Sequence, residues 1–303
     1  AVSVLLKGHY RHIERTSTFL VSSFTFITVV CAVALFWTPY GSTLENLAEG
    51  FKFDLPAGGL AVAFAAFGIT GVGATELVYY PYWCLEKGYA RFVGPSDRSP
   101  EWVTRAKGWS RVMQIDTVVA MVVYTLATVA FYILGAGVLF GAQKVPAGYD
   151  MVRTLSSIYT TTLGPWAFYL FLLGAFIVLF STTFSATAST SRVLVDFLTL
   201  LRLIRPKKDS GRLFWWRRIV VCLISLYIFW YLMLGMPVFM VLIGGIAQAF
   251  MLPVLGFSTV YLRYRHTERR IRPGLLVDAL LWVASTAMLG FAVYTLAFRL
   301  LGL

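Results

Sequence analysis

The sequence predicts an all-α integral membrane protein with about seven spans. Three observations carry that reading: a strongly apolar composition, seven apolar runs of membrane-crossing length, and positive charge confined to one side of the resulting topology. Of the 303 residues, 58% are hydrophobic and only 13% are charged, against about 25% charged in an average soluble domain. Aromatic residues make up 16%, nine of them Trp, which suits a chain that places amphipathic rings at two interfaces.

A hydrocarbon core of about 30 Å needs roughly 20 apolar residues in a helix. The runs that meet this length are 17–37, 58–83, 112–140, 165–189, 219–235, 237–262 and 274–300. Counting Lys and Arg between them tests the order. The first flank and the loops after spans two, four and six hold 22 of the 26 basic residues. Lys52, Lys144, Arg153 and Arg299 are the four on the other side. Cytoplasmic loops collect positive charge, so the N-terminal end is expected inside and the C-terminal end outside a cell membrane. The net charge of +12 then calls for no nucleic acid, because short basic loops on one face meet anionic lipid headgroups. Residues 38–57 form an acidic external loop with Glu45, Glu49 and Asp54 against Lys52. The whole chain, 1–303, is expected to be one transmembrane domain. It opens on Ala1 without an initiator Met, and material before Ala1 is expected to be missing.

Ionisable residues within a bilayer are costly and tend to be functional. Asp116 and Asp278 lie within about a turn of the basic ends of their spans, where water is in reach. Glu76 is the acidic residue left well inside a span. It follows Gly68-Ile-Thr-Gly71-Val-Gly73-Ala-Thr, and Pro81 comes five residues later. Each Gly costs a helix about 1 kcal/mol relative to Ala, so two readings arise. The span is broken there, freeing backbone carbonyls to hold an ion, or the glycines form a close helix-packing face. In the sixth run Gln248 lies between Gly244-Gly245 and Pro253. An amide at that depth must bond a neighbouring helix or a ligand. The hydroxyl row Ser181, Ser185, Ser189 has i, i+4 spacing. It either lines a wet path or bonds its own helix carbonyls, and the second is preferred.

Enzyme signatures are absent: there is no HExxH, GxSxG or Walker loop. His9, His12 and His266 flank spans on the basic side, and Cys31, Cys84 and Cys222 have no metal-site spacing. No cofactor is expected.

Several segments, in order, resemble the C-terminal part of the natural resistance-associated macrophage protein (Nramp) family of proton-linked divalent-metal transporters. They are Tyr10-Arg-His-Ile-Glu14, Ile115-Asp116, Leu163-Gly164 with Leu173-Gly-Ala and Phe180-Ser-Thr-Thr, and Gln248-Ala with Leu252-Pro253. The resemblance implies a LeuT-like inverted-repeat fold lacking its first helices, and it implies alternating access around a midplane site. The missing N-terminal helices, with their Asp-Pro-Gly-Asn motif, would be needed for a complete site. Where the family reads Met-Pro-His-Asn, this chain reads Ala74-Thr75-Glu76-Leu77-Val78; where it often carries Asn, this chain has Thr128. The implied metal and substrate residues are Glu76 and Gln248, with carbonyls near Gly73 and Ala74, and with Thr75, Thr128 and Ser181 around them. Replacing thioether and imidazole by carboxylate favours hard cations of the Mg²⁺ or Mn²⁺ kind over Fe²⁺. Divalent metal and protons are the implied substrates. Two other readings stay open: an amino-acid or other organic-solute carrier of the same fold, and a non-transporting membrane subunit.

Overall fold

The computed structural model describes residues 10–38, 59–140, 151–206 and 209–301. The acidic segment 39–58 lies outside the described residues, as do Lys7, His9, Lys144, Lys207 and Lys208. All regular structure among the described residues is helical. In order the helices are α1 Tyr10–Leu35, α2 Leu60–Ile69, α3 Ala74–Glu86, α4 Tyr89–Val93 and α5 Pro100–Leu134. A π-helical turn, Gly135–Phe140, follows, then α6 Met151–Leu163, α7 Ala167–Leu200, α8 Asp209–Leu234, α9 Pro237–Arg265, a 3₁₀ turn Arg269–Ile271 and α10 Leu275–Leu301.

Seven stretches are long and apolar enough to cross a membrane, and they match the seven runs in the sequence one for one. The chain is thus an all-α, multi-pass membrane protein. Boundaries differ mainly at the basic ends. α5 starts at Pro100 rather than 112, and α7 continues to Leu200 rather than 189. Hydropathy marks where the bilayer ends, whereas a helix runs on through polar sequence until a capping signal stops it. That signal is present before α5: the Ser99 hydroxyl accepts the Trp102 N–H (3.0 Å) and Pro100 occupies the first helical position. α6 is an added helix outside the seven spans.

Two compact units emerge, one from residues 1–52 with 126–238 and one from 53–125 with 239–303. α5 passes from the second to the first. The first unit packs α1, the end of α5, α6 and α7 around Phe24, Cys31, Leu35, Leu134, Tyr159 and Phe171. The ring of Phe24 lies where a Cβ on Gly174 would be, so a glycine in α7 is what lets α1 approach. At the same core, Thr28 and Tyr159 are fully buried and joined oxygen to oxygen at 2.7 Å. Thr28 gives its own proton to Phe24 O (2.9 Å), so Tyr159 donates to Thr28.

The second unit packs α2, α9 and α10 through Phe64, Ala249 and Ala292, with Phe67, Ile246 and Phe291 alongside. α2 and α9 meet at small residues. A Cβ on Gly245 would lie 2.5 Å from Ala65 O, and one on Gly68 would run into Gly245 O and lie 2.6 Å from Ala249 N. Backbone meets backbone here, and no side chain can yield. At the basic end, Arg263 grips Asp278 with Nε on Oδ1 (2.6 Å) and Nη2 on Oδ2 (2.9 Å), and Nη2 also reaches Pro273 O (2.7 Å). This forked ion pair ties the end of α9 to the start of α10.

Candidate functional site

The second span, Leu60–Glu86, is two helices separated by a break. α2 stops because Thr70 turns extended (φ −78°, ψ 133°), its N–H making the last helical bond to Ala66 O at 2.7 Å. Gly71 follows at φ +80°, a conformation that L side chains adopt only at a cost. Gly73 is extended (φ −70°, ψ 161°), and α3 begins at Ala74. The glycine-rich stretch therefore carries both roles suggested by the sequence. Gly68 is the close-packing residue and Gly71 with Gly73 form the break.

Glu76 stands in the first turn of α3 and accepts the Gly73 N–H on Oε2. This is one half of a capping box. Gly73 has no side chain to complete the other half, so its carbonyl takes the Glu76 N–H (3.1 Å) and the Leu77 N–H (3.3 Å). A carboxylate suits this place because the N-terminal end of a helix carries partial positive charge. The last carbonyls of α2 lie across the break, at the partially negative end of that helix.

Gln248 comes from mid-α9. Its Oε1 accepts the Thr75 hydroxyl at 3.0 Å and, more weakly, the Thr75 N–H at 3.4 Å. A Cβ placed on Gly73 would collide with Gln248 Oε1 and lie 2.7 Å from Glu76 Oε2. Both acceptor oxygens thus converge on the space that glycine leaves open. The requirement for glycine at 73 is one of room, since its backbone angles suit any residue.

The structure brings Gly73, Ala74, Thr75, Glu76 and Gln248 together from positions far apart in sequence. Ala74 is fully buried at the start of α3. Glu76 is exposed, and the Gly73 N–H is its one donor among the described residues. Carboxylate and amide oxygens keep more acceptor capacity than these bonds use. Thr128 on α5 and Ser181 on α7 belong to the first unit. The Ser181 hydroxyl bonds Val178 O (3.0 Å). Down the same helix Thr187 bonds Thr183 O (2.6 Å), Ser189 bonds Ser185 O (2.9 Å) and Ser191 bonds Thr187 O (2.7 Å). These hydroxyls are satisfied within their own helix.

One polar partner escaped the sequence reading. Tyr80, one turn beyond Glu76 on α3, gives its hydroxyl to Asp116 Oδ2 (3.3 Å) on α5. The i, i+4 spacing of Glu76 and Tyr80 was the available signal. No group of three or more His, Cys, Asp and Glu exists among the described residues. The donors gathered at the break are one carboxylate, one amide, one hydroxyl and backbone carbonyls, all of them oxygen. Such a set stabilises a hard cation and offers nothing to a soft one.

A family model described as natural resistance-associated macrophage protein-like matches residues 1–298. No curated protein and no solved structure matches the chain.

Proposed function

This chain belongs to the Nramp family of divalent-metal transporters, and from that premise we propose proton-linked secondary transport of a hard divalent cation, Mn²⁺ or Mg²⁺. The observation that carries the proposal is the convergence of Glu76 and Gln248 on the open face of Gly73, at a break in a membrane span. Glu76 supplies the charge that replaces the cation's hydration, and Gln248, oriented by Thr75, supplies a neutral oxygen. Carbonyls at the end of α2 and around Gly73 and Ala74 complete this half of the site. Unwound backbone beside a carboxylate at such depth has few other uses, because unpaired backbone groups are tolerated there only when they line a cavity or hold a ligand.

Alternating access in a LeuT-like inverted repeat accounts for the cycle. A divalent cation on the single carboxylate leaves one net positive charge, which the amide and carbonyl oxygens around Glu76 disperse. A proton competes with the cation for Glu76, which is a physical basis for linking the two. The basic loops face the cytoplasm, so the N-terminal end of the chain is inside and the C-terminal end outside.

The test is uptake by the natural protein in proteoliposomes, offered Mn²⁺ and Mg²⁺ with and without an inward proton gradient. Wild type is expected to take up metal saturably and faster with the gradient, and Glu76→Gln to lose about a hundredfold in metal affinity. Uptake that Glu76→Gln leaves intact in a folded protein would remove Glu76 from the site. An absence of metal flux under every gradient would overturn transport of these ions.

A further inference from the structure

A cavity of about 450 Å³ opens at the basic end of the second unit. Its size is that of a small-molecule site. Its walls are Tyr80 and Cys84 from α3, Tyr89 from α4, and Trp102, Trp109 and Met113 from one face of α5. Two of the polar groups on these rings are already used. Trp102 Nε1 donates to Gly94 O (3.2 Å) and Tyr80 to Asp116. The lining is mostly apolar, so it suits an apolar guest better than a polar one.

The mouth is of opposite character. Arg105 reaches over it, giving Nε–H to the carbonyl of Val93 (3.2 Å), a wall residue. On another side Ile271 closes the wall from the 3₁₀ turn, which Arg270 anchors through Glu268 Oε1 (2.7 Å) and Arg98 O (2.9 Å). The neighbouring Arg269 is exposed, two residues from Ile271. Asp97 and Glu101, the latter one turn before Arg105 on α5, are acidic neighbours of Arg105, and bonds from the Ser99 hydroxyl and N–H hold the Asp97 carboxyl below the usual range. Lys87, Arg91 and Lys107 are exposed in the same stretches, as are Glu86 and Glu101.

We propose that this cavity seats one acyl chain of an anionic membrane phospholipid, whose phosphate rests on Arg105 and Arg269. An aromatic, largely apolar pocket with arginines beside it is complementary to a molecule that is apolar at one end and anionic at the other. Guanidinium groups hold phosphate by paired hydrogen bonds, and basic pockets between spans collect anionic headgroups. A zwitterionic lipid offers the same chain but no net charge for the rim. The proposal does not depend on what the protein transports.

The experiment is native mass spectrometry of the natural protein, delipidated in detergent and re-equilibrated with equal amounts of dioleoyl phosphatidylglycerol and dioleoyl phosphatidylcholine. One phosphatidylglycerol per chain is expected to survive, favoured about tenfold over phosphatidylcholine. Ala106→Phe, which puts a ring into the cavity from the α5 wall, is expected to weaken retention. The joint substitution Arg105→Gln with Arg269→Gln touches only exposed side chains, so it keeps the test valid if the filled variant misfolds. It should bring the two lipids to near parity. Equal retention of both lipids by wild type, or unchanged selectivity in the arginine variant, would overturn the proposal. Displacement of the lipid by free glycerol phosphate at millimolar concentration would also overturn it, since the chain would then contribute nothing.

Discussion

Two polar constellations lie in apolar surroundings in this molecule, and they are handled in opposite ways. In the first unit, Thr28 and Tyr159 are both fully buried, each proton has an acceptor, and α1 is locked to α6. In the second unit, Glu76 and Gln248 meet at a helix break where donors are fewer than acceptor sites and the carboxylate stays exposed. A polar group whose hydrogen bonds are complete can only hold structure together. One left with spare acceptors, at a place where backbone has been unwound, is available for a ligand. The hydroxyls of α7 give their protons within their own helix, and Gly73 and Thr75 belong with Glu76.

The sharpest way to break this comparison is Gly73→Ala. Its backbone angles permit alanine, but the new methyl group would displace both the Gln248 and Glu76 oxygens. Metal affinity, read by isothermal titration, should fall about a hundredfold while circular dichroism stays unchanged. Unaltered affinity would mean that the two oxygens do not act together. Gly68→Ala probes packing nearby with no change of donors. Its methyl group meets the backbone of α9, so overpacking should cost about 1–3 kcal/mol of stability, read as a lower thermal midpoint in detergent.

Smaller effects are expected in the first unit. Tyr159→Phe should cost about 1 kcal/mol and leave metal affinity alone, because Thr28 keeps its bond to Phe24 O. It also changes the alkaline limb. Burial pushes the Tyr159 phenol up to about 12, whereas the unfolded phenol ionises near 10. The unfolded chain therefore loses its proton first, so stability falls as pH rises from about 10 towards 12, a fall that the Phe variant lacks. Ser189→Ala should be the mildest, within about 0.5 kcal/mol, since the hydroxyl serves only its own helix. A drop in metal affinity from either change would erase the distinction between the two constellations.

Much of the site could be read in one dimension. Glu76 stands out because charge within an apolar span is expensive, and the cluster Gly68, Gly71 and Gly73 because glycine weakens a helix. Gln248 stands out as an amide at depth. The family resemblance already implied Glu76 and Gln248 at one site; what could not be read was the contact through Thr75, or which glycine did what. Gly68 and Gly73 look alike in sequence, yet one faces the backbone of α9 and the other faces two side-chain oxygens. Nor could hydropathy anticipate α6, or the run of α5 back to Pro100, because both lie in sequence that the bilayer does not select.

By itself, then, the amino-acid sequence determined the class of molecule, the number of spans, the one-sided charge and the stretch where a span either breaks or packs closely. Each follows from local free energies: apolar length against bilayer thickness, Lys and Arg against the leaflet, glycine against the helix. Tertiary structure alone decided that Gln248 comes to Thr75, that Tyr80 takes Asp116 and that Arg263 takes Asp278. Pairings of that kind depend on how two helix faces approach, and the small residues at Ala65, Gly68 and Gly245 set that approach only once the chain is packed.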